Sequence, residues 1–400
     1  MAMTREEAKL VAQAARTEEI MKAITPIGQY EAEFNRRRDA KVPRVGTGYP
    51  ELDRVLTGGL VNELYIMGAE TSTGKSAFLM SIAQHIAASG IDVLYYSMEM
   101  GKEELVARGI SSISYEHWND KKDKPSDQQP KRFKVADVLY WKWDNILHDY
   151  TQVPRKDYAS YSSEYFKDYG DHLHIIEGSI AGGLTVRDIV QTATAFKEKT
   201  QKTPVVFVDY LQIVHPDPDE GPDRKTRMDT IVTTLKGLAS QVGMPVFAIS
   251  SVGRMQYGQR VSKASFKESG DTEYTGGVLC GWNWLGVTDE KNPLAQLAEK
   301  AASKVRGYRK MRFEILKFRN SEIDSRVDFK YYPAWNYFVT EGSGFSDPDV
   351  KNPTPYKPKS RILKMVNPQK DDKKSKKGVK DAKDVKDPFE GKPVVKVPEK

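Results

Sequence analysis

Residues 64–76 of the 400-residue chain read LYIMGAETSTGKS, a spacing of residue types that suits a phosphate cradle. Leu64 to Met67 is an apolar run fit for a buried strand, and a turn of small residues follows it. Gly74-Lys75-Ser76 then opens a helix striped with Ala77, Phe78, Met80, Ile82, Ala83, Ile86 and Ala87. In such a P-loop the backbone of Ala69, Glu70, Thr71, Ser72, Thr73 and Gly74 wraps phosphates with N–H groups, and a side chain at position 74 would obstruct them. Lys75 neutralises charge on the β- and γ-phosphates, and the Ser76 hydroxyl ligates Mg²⁺. The pattern ordinarily opens with Gly. Here Ala69 takes that place with Gly68 just before it, and Ala is small enough to keep the turn. The plain alternative, a chance Gly-Lys-Ser at a helix start, does not explain the preceding strand or the apolar stripe.

Two carboxylates stand where P-loop chemistry needs them. Asp209 interrupts the apolar run 204–214, PVVFVDYLQIV, in the manner of a Walker B strand whose acid holds Mg²⁺ together with Ser76. A lone carboxylate buried there costs several kcal/mol, which favours a metal-linked role. Glu99 follows the apolar run 91–97, IDVLYYS, at the end of a strand where open α/β sheets place their ligands. There it can orient or activate the water that attacks a γ-phosphate. The competing reading of Glu99 is an exposed strand-end carboxylate, and position alone favours that one.

The elements that must carry these residues alternate along the chain. Strands are expected at 64–67, 91–97, 173–177, 204–209, 245–249, 278–287 and 312–318, with helices after 75, 185 and near 231–242. A basic helix is expected over 290–310 and a hairpin over 327–339. The pattern predicts an α/β fold: a mostly parallel central sheet with helices on both faces, closed by a C-terminal hairpin. Residues 111–170 crowd Tyr140, Trp141, Trp143, Tyr150, Tyr158, Tyr161, Tyr165, Phe166 and Tyr169 among charges. Such residues could stack on unpaired bases; a small helical subcore is the favoured reading. The chain therefore divides into an amphipathic arm and linker (1–43), a core domain (44–341) with the aromatic insertion, and a disordered Lys-rich tail (342–400).

Composition bounds the rest. One cysteine, Cys280, excludes a disulfide framework or a Cys-rich zinc ribbon and reads as a small core residue. No apolar run is long enough to cross a bilayer and no signal-peptide core is present, so a soluble, reducing compartment, the cytoplasm, is expected, with no membrane partner. The net charge of +7 sits in the tail. From Lys359 onward there are 14 Lys+Arg against 7 Asp+Glu; removing these from the totals of 62 and 55 leaves 48 of each sign. Nucleic-acid contact by the core must then come from local patches.

Together these motifs make the chain resemble the RecA-type motor domain of DnaB-type replicative DNA helicases over about residues 44–340. Thr47-Gly48-Tyr49, Leu52-Asp53 and Thr57-Gly58-Gly59-Leu60 are similar to that family's lead-in, and family P-loops also start with Ala. Tyr96-Ser97-Met98-Glu99-Met100 resembles S-L-E-M, Val208-Asp209-Tyr210-Leu211-Gln212 resembles I-D-Y-L-Q, Lys267-Glu268-Ser269-Gly270 resembles R-E-S-G, and Lys317-Phe318-Arg319-Asn320 resembles K-Q-R-N. The resemblance implies a RecA-like P-loop NTPase using ATP and Mg²⁺, with Glu99 as the catalytic carboxylate. It implies Lys317 and Arg319 reaching the γ-phosphate of the adjacent subunit, and Lys267, Glu268 and Gly270 in a DNA-binding loop. Arg224 and Lys225, in the loop after strand 204–209, are expected on the same channel. It further implies a hexameric ring on single-stranded or forked DNA, with primase, loader, polymerase or single-strand-binding protein as partners through the arm or tail. The family's S-Q-L-N-R appears here as Ser250-Ser251-Val252-Gly253-Arg254. The Gln that senses γ-phosphate in that family is replaced by the shorter Ser251, so coupling of hydrolysis to DNA movement is either lost or rewired. About 45 residues precede the motor, where the family has a helical domain, which suggests a phage or mobile-element replisome protein. The alternative is a RecA/RadA-like recombination or regulatory ATPase that binds single-stranded DNA without unwinding. An inactive ATP-binding adaptor is disfavoured by intact Lys75, Glu99 and Asp209.

Overall fold

The apolar runs pair into one nine-stranded sheet. The computed structural model describes residues 5–24, 26–32, 34–35, 44–140, 155–179, 182–216, 224–253, 257–266, 277–286, 293–318 and 325–343. In chain order the main elements are α1 (Arg5–Ala23), α2 (Pro50–Val55), β1 (Leu64–Ala69), α3 (Lys75–Ala88), β2 (Val93–Ser97), α4 (Lys102–Asn119), α5 (Val135–Tyr140), α6 (Arg155–Tyr169), β3 (Leu173–Glu177), α7 (Val186–Thr200), β4 (Val205–Asp209), α8 (Arg224–Gly237), β5 (Val246–Ser251), β6 (Val278–Trp284), α9 (Pro293–Arg306), β7 (Arg309–Phe318), β8 (Arg326–Tyr332) and β9 (Tyr337–Ser343). The strand order is β3-β2-β4-β5-β1-β6-β7-β8-β9. Strands β1 to β6 pair in parallel, with β1 between β5 and β6, and β7 to β9 add on antiparallel.

Strand periodicity sorts the core into two layers. Tyr65, Met67, Phe247 and Ile249 face α3, packing on Phe78, Leu79, Ile82 and Ile86. Their alternates Leu64, Ile66, Val246 and Ala248 face α7 and α8 through Ile189, Ala193, Ile231 and Leu235. Strands covered on both sides must be apolar throughout, and β1, β2 and β4 are buried along their whole length. The β8–β9 hairpin clamps the outer side of α3: Phe78 stacks on Trp282 at 4.3 Å between centroids and meets Phe329 and Phe338 at 5.0 and 5.4 Å. Helix α7 starts where Thr185 and Asp188 form a reciprocal capping box.

The aromatic segment folds as a subcore. Ile110 and Ile113 of α4 pack with Phe133, Tyr161 and Tyr165, the last two from α6. Arg132 lies 3.7 Å from the Trp118 ring and 4.3 Å from that of Trp335, pinning the insertion to the hairpin turn. Trp141, Trp143 and Tyr150 lie outside the described residues, as do residues 36–43 of the linker and 344–400 of the tail.

Several boundaries differ from expectation. The basic helix spans Pro293–Arg306, not 290–310, because Gly307 takes φ +78° and ends it. Arg309 and Lys310 therefore begin β7, where Met311, Phe313 and Ile315 alternate inward. The strand expected at 278–287 ends at Trp284, and Trp335 sits in the turn before β9. The arm forms α1, on which Leu10, Val11 and Met21 are exposed. Among the described residues, no helix is long and apolar enough to cross a membrane.

Candidate nucleotide-binding site

The loop between β1 and α3 is closed by its own side chains. The Thr73 hydroxyl donates to the Glu70 carbonyl at 2.8 Å. Ser72 and Gly74 adopt left-handed backbone, φ +61° and +93°. At Gly74 a Cβ would also lie 2.5 Å from the Tyr331 ring, so glycine is needed there for both conformation and space. Ala69 is the last residue of β1 and is fully buried, and the opening position of the loop tolerates its methyl group. No side chain caps the start of α3. The N–H groups of its first turn are thus available to an anion, and the helix dipole favours one.

Four expected side chains converge at this end of the sheet. Asp209 is 1% exposed; it accepts a hydrogen bond from the Ser76 hydroxyl at 3.1 Å and another from the Tyr95 hydroxyl at 2.9 Å. Burial raises the Asp209 carboxyl above its ordinary value, and the two hydroxyls pull it back. Those hydroxyls, Tyr95 unforeseen among them, correct the argument that a buried Asp209 would stand uncompensated without a metal. What fits Mg²⁺ is the adjacency of one hydroxyl and one carboxylate, both hard oxygen donors, beside the phosphate cradle. Lys75 is buried, its ammonium 5.4 Å from the Tyr210 ring centroid. Burial lowers its affinity for a proton, and the charges of Asp209 and Glu99 oppose that. Glu99 is exposed and lies two residues beyond Ser97, which pairs in register with Asp209; the Met98 N–H donates to the Asp209 carbonyl at 2.8 Å. The two carboxylates therefore leave neighbouring strands side by side.

Several residues around the loop carried no sequence signal. The Trp282 indole donates to the Thr73 carbonyl at 3.2 Å, and the Arg309 guanidinium donates to the Ser72 carbonyl at 2.6 Å. Arg309 also lies 5.5 and 5.6 Å from the ring centroids of Trp284 and Tyr331. Glu70, an acid inside an anion cradle, gives one carboxylate oxygen to the Gly258 N–H at 2.6 Å and the other to the Gln296 amide at 2.8 Å. The only available hint was Trp282 and Trp284, two positions apart and so on one face of a strand.

The remaining predicted residues are not brought into this cluster. Lys317 is half-buried on β7, two strands from β1, in register with Leu279. Arg319, Lys267, Glu268 and Gly270 lie outside the described residues. Arg224 and Lys225, expected in a loop, instead form the first turn of α8, and Lys225 is exposed. At the position of the expected sensor, the Gln212 amide donates to the Ser250 hydroxyl at 2.9 Å and the Ser251 carbonyl at 3.1 Å, and accepts from the Ser251 N–H at 3.0 Å.

Known proteins share both sequence and fold with this chain. It is 24% identical over 249 residues to the "Replicative DNA helicase DnaC" of Bacillus subtilis (strain 168), covering 61% of this chain and 48% of that protein. It is 27% identical over 265 residues to the "Replicative DNA helicase DnaB" of Treponema pallidum (strain Nichols), covering 66% and 53%. The chain thus spans about half the length of these relatives. Among solved structures, "The Structure Of A DnaB-Like Replicative Helicase And Its Interactions With Primase" superposes with TM-score 0.60 at 19% identity, over 83% of this chain and 74% of that one. An ATPase domain solved on its own gives 0.59 at 20% identity, over 85% and 99%. Residues 44–139 and 148–339 match the family described as "DnaB-like helicase C terminal domain", and the chain belongs to that family.

Proposed function

We propose that the chain is the ATP-hydrolysing motor of a replicative DNA helicase, working as a six-membered ring that moves along single-stranded DNA and opens duplex. The observation that carries this reading is the uncapped start of α3 flanked by buried Lys75 and by the Ser76–Asp209 pair, a constellation suited to a nucleoside triphosphate and Mg²⁺. Ala69 to Gly74 hold phosphate oxygens with backbone N–H groups, and Lys75 meets their charge. Ser76 and Asp209 would hold Mg²⁺, which would supply positive charge against the negative charge of the phosphates. Glu99, exposed at the open end of β2, orients the attacking water and draws off its proton. Lys317 and Arg319 belong to the neighbour's site, so hydrolysis requires assembly; trans arginines of this kind contribute roughly 10³–10⁵ in rate.

In this reading Lys267, Glu268 and Gly270, with Arg224 and Lys225, line the channel and hold the DNA backbone with little regard to sequence. The exposed apolar stripe of α1 serves the arm (1–43) in joining protomers, and the Lys-rich tail (342–400) adds attraction for DNA or a replisome partner such as primase. The work is cytoplasmic. Family membership weighs against the recombination-type alternative. A forked-substrate strand-displacement assay tests the proposal: ATP-dependent unwinding supports it, and DNA-stimulated hydrolysis without displacement overturns it.

A further inference from the structure

On the α3 side of the sheet, four aromatic rings lie in register across neighbouring strands. Tyr95 of β2 pairs with Phe207 of β4, Phe207 with Phe247 of β5, and Phe247 with Tyr65 of β1. Successive centroids are 5.9, 6.1 and 5.7 Å apart, and all four rings are fully buried. Close packing of this kind holds a ring in one rotamer. Asp209 follows Phe207 by two residues, so its side chain leaves β4 on the same face as the Tyr95 ring. The Tyr95 hydroxyl donates to Asp209 Oδ2 at 2.9 Å and lies 3.5 Å from the Ser76 carbonyl. Asp209 Oδ1 accepts from the Ser76 hydroxyl at 3.1 Å. Each carboxylate oxygen thus has its own donor, and Tyr95 reaches both residues of the Ser76–Asp209 pair. Tyr96, the next residue, points to the α7 side, where its hydroxyl shares a hydrogen bond of 2.7 Å with the Thr192 hydroxyl and lies 3.3 Å from the Ile189 carbonyl.

We infer that Tyr95 is a positioning residue for the Mg²⁺ site: its hydroxyl fixes the rotation of the Asp209 carboxylate, so that Oδ1 stays turned to Ser76. The torsion that swings a carboxylate about its own axis is soft, and a single donor leaves it free to offer either oxygen. Two donors on separate oxygens, one of them on a ring locked in a packed row, remove that freedom. The ion then meets an oriented pair and does not have to order it. Groups that orient a metal ligand from behind in this way are worth about 10–100-fold in metal affinity. Packing alone does not call for the hydroxyl, since Phe would fill the same place in the row, and a buried hydroxyl is costly unless it finds a partner. The inference rests on the reading that the chain binds a nucleoside triphosphate with Mg²⁺.

The test titrates Mg²⁺ into the full chain with a fluorescent, non-hydrolysable ATP analogue and reads the Mg²⁺ concentration at half-maximal binding. In Tyr95→Phe that concentration should rise about tenfold, while analogue affinity in EDTA stays as in wild type. Hydrolysis by the variant should be slow at low Mg²⁺ and return to the wild-type rate at saturating Mg²⁺, a rescue that general loss of packing would not allow. Tyr96→Phe removes an equally buried hydroxyl from the adjoining position and should leave the Mg²⁺ requirement unchanged. In an Asp209→Asn background, adding Tyr95→Phe should raise the requirement no further, because the two residues act as one unit. An unchanged Mg²⁺ requirement in Tyr95→Phe, an equal rise in Tyr96→Phe, or additive effects of Tyr95→Phe and Asp209→Asn overturns the positioning role and leaves the nucleotide reading standing. Loss of analogue affinity in EDTA by Tyr95→Phe marks general damage and overturns it likewise. A wild-type chain that binds no analogue at any Mg²⁺ concentration overturns both.

Discussion

The Ser76 hydroxyl donates to the Asp209 carboxylate across 3.1 Å, joining the first turn of α3 to the last residue of β4. Everything proposed for catalysis depends on that junction, and it has opposite consequences for stability and for chemistry.

Asp209→Asn is expected to lower the hydrolysis rate about 10²–10³-fold, as loss of one preorganised electrostatic group does. It should also stabilise the fold. Burial raises the carboxyl in the folded state, so its stabilising contribution is present at low pH and lost as pH rises through the folded value. At neutral pH the ionised acid is a burden that Asn removes. A thermal scan should show Tm raised by about 1–3 °C at pH 8 and by less at pH 4.5.

His117 and Glu164 give the insertion its own pH response. His117 Nε2 lies 2.9 Å from the Glu164 carboxylate, linking α4 to α6, and the hydrogen bond that the imidazole donates to Glu164 raises it above its ordinary value. The sign is that of a raised base: stability is complete below the unfolded value near 6.5 and declines as pH rises through the folded one. Amide exchange in α6 should therefore be slower at pH 6 than at pH 8 after correction for intrinsic rates. His117→Gln should abolish that difference, and its persistence in the variant would remove the pair as its cause.

Arg132, held between Trp118 and Trp335, predicts a purely structural loss. Arg132→Ala should cost about 1–2 kcal/mol, the value of a desolvated cation–π contact, seen as a lower denaturation midpoint. Nucleotide affinity should stay unchanged, because the sandwich joins the insertion to the hairpin turn and not to the cradle. A change in nucleotide affinity without loss of stability would contradict this.

Trans completion of the site predicts complementation. Lys75→Ala and Arg319→Ala proteins should each hydrolyse ATP at least about 10³-fold more slowly than wild type. Mixed in equal amounts and allowed to exchange, they should regain activity at about one seam in four, where an intact cradle meets an intact arginine. Activity of the mixture no greater than the sum of its parts would rule out sharing across protomers.

The cis half of the site was legible because its residues are consecutive on a strand, a turn and a helix. Lys75 and Ser76 follow the loop directly, and the apolar run before Asp209 announces a buried strand whose end faces the same ligand. The fold class followed from the same alternation of apolar runs and helical stripes. Arg309, Tyr257 and Gln296 were not legible, because they reach the loop from 186 to 237 residues away and leave no local pattern. Arg309 belongs to a basic run with Lys300, Lys304, Arg306 and Lys310 that reads as one helix over 290–310. The left-handed Gly307 breaks that run, and the alternation that marks β7 begins only beyond it. Tyr95 was hidden inside a uniformly buried strand, where periodicity cannot say which ring carries a working hydroxyl.

Strand β7 begins with Arg309, bonded to the chain's own phosphate cradle, and its tenth residue, Phe318, lies between Lys317 and Arg319. Such a strand is a stiff rod of about 30 Å, braced along its length by β6 and β8. If Lys317 and Arg319 do serve the next protomer, this rod has one fuel site at each end. Tilting it at one end would shift the other, so neighbouring protomers would sense each other's sites through this strand.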